Sequence, residues 1–219
     1  MNKRKACKIS GLKHPASDNV KTNARTMNGV HVTKEVCESM EIKLEDLIAK
    51  TAIFACEDSV ETIVSQYGNA LMYPNLRRKA GKDEERRSFD GDEFLDDNTY
   101  VNRSFKAGFE NITFEKYTVC HIWNDVQDIN LFSEVRNLVL IPSGLHALSD
   151  ELPNIIEILK YRAYELYNWW PDKEGPHQSP SNYPDNNMWR SRLPFTVFKQ
   201  KKFIKQQDGK TKLVVCEHD

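Results

Sequence analysis

The sequence predicts an α+β protein built on a strand–loop–strand–helix unit, with helices before it and a helix and a hairpin after it. Three observations lead there. Asn137–Pro142 is an apolar run of strand length stopped by proline, and Thr113–Trp123 reads as a strand just upstream of it. Ile155, Ile156, Leu159, Ala163, Leu166 and Tyr167 recur at helical spacing. Two β-like runs between Phe195 and Val215 flank Asp208-Gly209, a hairpin-turn pair.

Taken in order, residues 1–30 are polar and basic with no apolar period, and are expected to form an arm. Thr33 can cap a helix whose apolar positions run from Met40 through Ile48, Ile53 and Phe54 to Cys56. A second helix is expected from an Asp58 or Ser59 cap through Val60, Ile63, Val64 and Tyr67, ending at Gly68. Together, residues 1–76 read as a basic arm and helical region.

Residues 77–99 are densely charged and carry two glycines, which predicts an exposed charged loop or linker. Residues 100–219 then form the third region. It opens with a short helix over Tyr100–Phe109, followed by the strand into a polar loop at 124–130, the second strand, and a turn at Pro142-Ser143-Gly144. Ser143 can cap a helical turn through Leu148, and Ser149 or Asp150 then precedes the long helix, with Pro153 in its first turn. Trp169-Trp170-Pro171 ends that helix, and residues 172–194 read as a loop wrapping the surface. No internal repeat is present.

Composition narrows the class. The chain has 219 residues, 39% hydrophobic and 29% charged, typical of a globular protein. No apolar run approaches the ~20 residues a membrane helix needs, and MNKRKACKIS lacks the apolar segment of a secretory signal. Five widely spaced cysteines without a CxxC pair argue against a disulfide framework or a zinc knuckle and suit a reducing cytoplasm. The formal net charge of −1 gives no global attraction to nucleic acid, so only local segregation of charge could supply a basic face. Basic clusters lie at Lys3-Arg4-Lys5, at 77–87, at Arg190/Arg192 and at 199–205.

Polar residues fall at informative places in the strand–loop–strand–helix unit. His121 sits near the end of the first strand and Asn137 opens the second. His146 and Asp150 are four apart, so on a helix they share a face and could jointly hold one divalent cation. Cys120-His121-Ile122, Asn137 with the apolar run after it, and Leu145 to Asp150 together resemble the HNH, or ββα-metal, endonuclease superfamily, over roughly 35 residues. The resemblance implies a metal-dependent endonuclease acting on DNA, in a restriction or other defence setting. His121 would be the general base and Asn137 would orient it, by a hydrogen bond to its ring or by pinning the loop between the strands. His146 and Asp150 would hold the divalent ion, Mg²⁺ first and Mn²⁺ or Zn²⁺ next. Arg136 is a candidate phosphate contact.

One position departs from that family. Where it has Asp, Glu or His before the base, this chain has Cys120, and a thiolate is a poor ligand for hard Mg²⁺. Asp125, Asp128 and Glu115 are alternative ligands. A Cys120–His121 nucleophile pair is disfavoured, because neighbours on a strand point to opposite faces. The rival reading is a non-catalytic module that keeps the nuclease-like fold and binds nucleic acid or protein, with Trp169, Trp170, Tyr183 and Trp189 available to stack on bases. Cleavage of both strands from one site per chain would call for a homodimer.

Overall fold

A computed structural model describes residues 33–79, 84–109, 115–125, 127–171, 175, 178–196 and 198–216. The expected N-terminal arm and the start of the first strand at Thr113 and Phe114 lie outside the described residues. The described chain is α+β, with helices packed on small sheets. None of its helices is long and apolar enough to cross a membrane.

The helices before the strand unit form, with different bounds. Residues 33–39 are helical, and helix α1 spans Leu44–Thr51. The single helix expected to reach Cys56 stops at Ala52, which turns to an extended conformation (φ −66°, ψ 137°). The next residues are strand-like: Ile53 exchanges both backbone hydrogen bonds with Leu140, at 2.9 and 3.0 Å. Ala52 and Phe54 enter one core cluster while Ile53 and Ala55 enter another, the period-2 alternation of a strand. An apolar run buried on both sides carries no polar alternation in its letters, so sequence spacing alone cannot separate it from helix. Helix α2 spans Glu57–Tyr67, with Cys56 rather than Asp58 or Ser59 at the cap position, and ends at Gly68 in the left-handed conformation (φ 75°).

The stretch expected as a charged loop folds instead. Strands β1 (Leu76–Arg78), β2 (Phe89–Asp90) and β3 (Glu93–Asp96) form a sheet in the order β1-β3-β2, with β1 parallel and β2 antiparallel to β3. Its charge density has a structural use: the buried Arg77 guanidinium binds Glu93 (2.6 Å), Asp90 (2.7 Å) and Glu84 (3.1 Å). A buried cation with these partners ties the segment together, whereas an unpaired one would carry a large desolvation cost. Phe94 and Leu95 are buried on β3.

Helix α3 (Thr99–Ala107) leads to β4 (Tyr117–His121), which pairs antiparallel with β5 (Leu138–Pro142). Between them lie a short helix α4 (Ile129–Phe132), capped by the Asp128 carboxylate, and a 3₁₀ turn at Val135–Asn137. Ser143 does not cap the helix that follows; its hydroxyl meets Thr118 Oγ1 at 3.0 Å. Helix α5 (His146–Glu151) starts without a side-chain cap, and Leu152 rather than Ser149 or Asp150 precedes α6 (Pro153–Tyr167), which has Pro153 at its start. The expected hairpin forms as β6 (Lys201–Lys205) and β7 (Thr211–Val215), turned by Gly209 at φ 79°.

The β4–β5 pair divides the core. Val119, Leu138 and Leu140 face a cluster built from α2, α3, α4 and the β1–β3 sheet, including Ile63, Phe94, Phe105 and Phe132. Cys120, Ile122, Val139 and Ile141 face a second cluster containing Ile48, Leu148, Ile155 and Leu159 from α1, α5 and α6. Leu138 through Ile141 are fully buried, which explains why β5 reads as an unbroken apolar run.

Candidate active site

His121 is the last residue of β4 and pairs with Leu138. Its side chain points to the first core face, where the ring lies parallel to that of Phe132 (centroids 5.3 Å apart, 7° between planes). Nε2 is 2.9 Å from the Phe132 carbonyl oxygen. A carbonyl can only accept, so Nε2 carries the hydrogen and Nδ1 keeps the lone pair. Burial pushes the imidazole down to about 4 from an ordinary 6.5; the bond to Phe132 opposes the shift and Arg78 adds to it. The ring is therefore neutral at physiological pH, with one nitrogen fixed as donor and the other left as base.

Asn137 is fully buried where the 3₁₀ turn enters β5. Its Oδ1 accepts from the Trp123 N–H (2.7 Å), and its Nδ2 donates to the carbonyls of Leu131 (3.0 Å) and Trp123 (3.3 Å). Of the two roles open to it, Asn137 takes the second: it pins the loop between the strands and makes no bond to the His121 ring. That loop carries Phe132, whose carbonyl meets the His121 ring.

Arg136 is engaged elsewhere. Nε and Nη2 bind both oxygens of the buried Glu134 (2.7 and 3.0 Å), and the guanidinium lies over Trp169 at 4.6 Å. Trp169 and Trp170 meet Trp123 edge-on at 5.2 and 5.1 Å. Glu134 also accepts from the Ala70 N–H at 3.2 Å, so it ties the loop to the α2–β1 connection.

His146 and Asp150 do come together on α5, with Nε2 and Oδ2 3.3 Å apart and side chains 39% and 41% exposed. They lie on the helix that packs against the Cys120 face, the side of the sheet opposite His121. Cys120 is buried there beside Ser149 and Asp150; burial and the Asp150 charge push its thiol up to about 12, with Ser149 opposing. It is thus a protonated, hydrophobe-like side chain at neutral pH and no thiolate donor.

The donor set fits a divalent ion in part. Among the described residues no group of three or more His, Cys, Asp or Glu side chains could hold a metal. His146 and Asp150 present one nitrogen and one oxygen, which a labile ion could complete with water and substrate oxygens. An imidazole–carboxylate pair suits Mn²⁺ or Zn²⁺ better than Mg²⁺. Of the alternative ligands, Asp128 is occupied as the α4 cap, with its Oδ1 accepting from Asn130 at 2.8 and 3.0 Å.

Two contributors carried no usable sequence signal or a weak one. The Phe132 carbonyl is a backbone group that any residue would supply. Glu134, two residues from Arg136, could have been read as its partner. Compared with known proteins, the chain matches no family model, no curated protein and no solved structure.

Proposed function

We propose that this protein is a metal-dependent endonuclease of the ββα-metal kind, hydrolysing DNA phosphodiester bonds with His121 as general base. The observation that supports it best is the state of His121: neutral, held at Nε2 by the Phe132 carbonyl, and presenting Nδ1 as an acceptor. In any neutral imidazole one nitrogen donates and the other accepts, so with Nε2 committed to the Phe132 carbonyl, Nδ1 is the atom that a general-base role would use.

In the proposed step, Nδ1 takes a proton from water as the water oxygen forms its bond to phosphorus. The bond from phosphorus to the leaving oxygen breaks, and that oxygen gains a proton from solvent. A divalent ion, when bound, would neutralise charge building on the phosphate, with His146 and Asp150 as its protein donors; since they lie on the face opposite His121, the phosphate would have to reach both around the edge of the β4–β5 pair. Asn137 is a positioning residue in this scheme. A homodimer that cuts both strands, and a restriction or defence setting, belong to the same reading.

The test is nicking of supercoiled plasmid with Mg²⁺ or Mn²⁺ by wild type and by His121→Ala. General-base removal should slow nicking by roughly 100-fold or more. No nicking with any divalent ion, or equal nicking by the variant, sinks the catalytic reading.

A second reading is favoured by Cys120. A protonated thiol where the resembled family has a ligand suits a module that retains the fold and binds nucleic acid without cutting it. Binding without nicking, unchanged in His121→Ala, would select it.

A further inference from the structure

The β6–β7 hairpin is built unlike the rest of the chain. Nearly all of it is exposed: along β6 only Phe203 is buried, and along β7 only Val214 is even half-buried. A two-stranded ribbon is marginal on its own, and this one is clamped at its base. Phe203 stacks on Phe94 (4.1 Å between centroids, 15° between planes). The Asn75 side chain donates to the Phe203 carbonyl (2.9 Å) and accepts from its N–H (3.0 Å). The Cys216 N–H donates to the Gln200 carbonyl at 2.9 Å, and the Gln200 side chain reaches Asn69 at 2.6 Å. The base is fixed while the rest of the ribbon remains solvated.

Its charge is one-sided. Residues 201–215 hold five lysines and one aspartate, in a chain whose formal net charge is −1. Asp208 is taken by Lys210 at 2.9 Å, and Lys201, Lys202, Lys205 and Lys212 form no ion pair among the described residues. Directly paired residues share a face, so Lys202/Val214 and Ile204/Lys212 lie on the face opposite Phe203, the anchored one. That outward face is an apolar centre between two ammonium groups. Ile204 on this face, and Leu213 and Val215 on the Phe203 face, are three of the six large hydrophobics exposed among the described residues.

We propose that the β6–β7 ribbon is a non-catalytic contact surface for double-stranded DNA, entering the major groove with its lysines against the phosphates. The charge calls for a polyanion. The width selects the duplex: strands ~4.8 Å apart, with their side chains, fit a groove ~12 Å wide. The deep, narrow major groove of duplex RNA would not admit the ribbon. The proposal shares with the hydrolytic reading only its choice of partner and needs no intact catalytic site.

The test is anisotropy of a labelled DNA duplex with the full chain in EDTA, where no divalent-dependent cleavage occurs. The variants are Lys202→Gln/Lys205→Gln/Lys212→Gln and the same three changed to Arg. The Gln variant should bind roughly tenfold or more weakly, and the slope of log affinity against log salt should fall by about 3. The Arg variant should bind like wild type, and because EDTA excludes cleavage, failure of the hydrolytic reading leaves this result intact. All three lysines are exposed, so the thermal midpoint should not move. Equal affinity and slope for wild type and the Gln variant would overturn the proposal. So would equal binding of duplex RNA, or capture by anionic lipid vesicles in place of DNA.

Discussion

The two faces of the β4–β5 pair treat adjacent residues, Cys120 and His121, in opposite ways. On one face Cys120 sits in an apolar cluster and loses its chemistry, because burial holds the thiol protonated. On the other, His121 is held by a single carbonyl and keeps a free nitrogen. Burial removes the charged form in both cases. The consequence differs because a neutral imidazole is still a base, whereas a neutral thiol is neither a good nucleophile nor a good ligand. The half-exposed His146–Asp150 pair lies over the Cys120 face. His121 and the candidate metal donors therefore lie on opposite sides of one sheet.

The largest expected effect breaks the comparison at its chemical end. His121→Ala should lower plasmid nicking by roughly 100-fold or more, while Cys120→Ala should leave the rate within a few-fold. A comparable loss from both would mean the two faces are not functionally distinct.

Next is the loop that orients the histidine. Asn137→Ala removes three hydrogen bonds and leaves the half-buried Trp123 N–H and carbonyl without these partners, while the Leu131 carbonyl keeps the Glu134 N–H at 3.3 Å. Urea denaturation should show a loss of about 3 kcal/mol. A change below about 0.5 kcal/mol would mean the loop is held by other contacts.

The third concerns pH. The folded imidazole titrates near 4 and the unfolded one near 6.5, so between these values the unfolded chain binds the extra proton. Stability is then complete above pH 6.5, falls as pH drops through the window, and levels off below about 4. The ceiling for this loss is about 3 kcal/mol. Comparing urea midpoints of wild type and His121→Gln at pH 7 and pH 5 isolates it, and parallel profiles would contradict it.

The smallest expected stability change is at the exposed pair. His146→Ala should alter stability by less than about 0.5 kcal/mol, as exposed ion pairs do. It should still weaken Mn²⁺ binding in a calorimetric titration; identical isotherms would remove His146 from the site.

Much of this was legible in the letters. Proline after the apolar run, helical spacing at 155–167 and Asp208-Gly209 located β5, α6 and the C-terminal hairpin, because each signal is local. The order His121, Asn137, His146, Asp150 picked out one strand–turn–strand–helix unit for the same reason. What escaped depends on contacts distant in sequence. Residues 52–56 are extended because Ile53 pairs with Leu140 and the backbone of Phe54 and Cys56 pairs with Leu193. The charged stretch at 77–99 folds because the acids after Arg77 converge on one guanidinium. Asn137 was recognised, but its choice between ring and loop rested on where Trp123 and Leu131 place their backbone groups.

The most direct measurement is an NMR titration of ¹⁵N-histidine-labelled protein that follows the His121 ring from pH 8 to pH 4. The account predicts a neutral ring protonated at Nε2, with Nδ1 unprotonated, down to about pH 5 and a midpoint near 4. A midpoint near 6.5, or a ring protonated at Nδ1 with Nε2 bare, would contradict it.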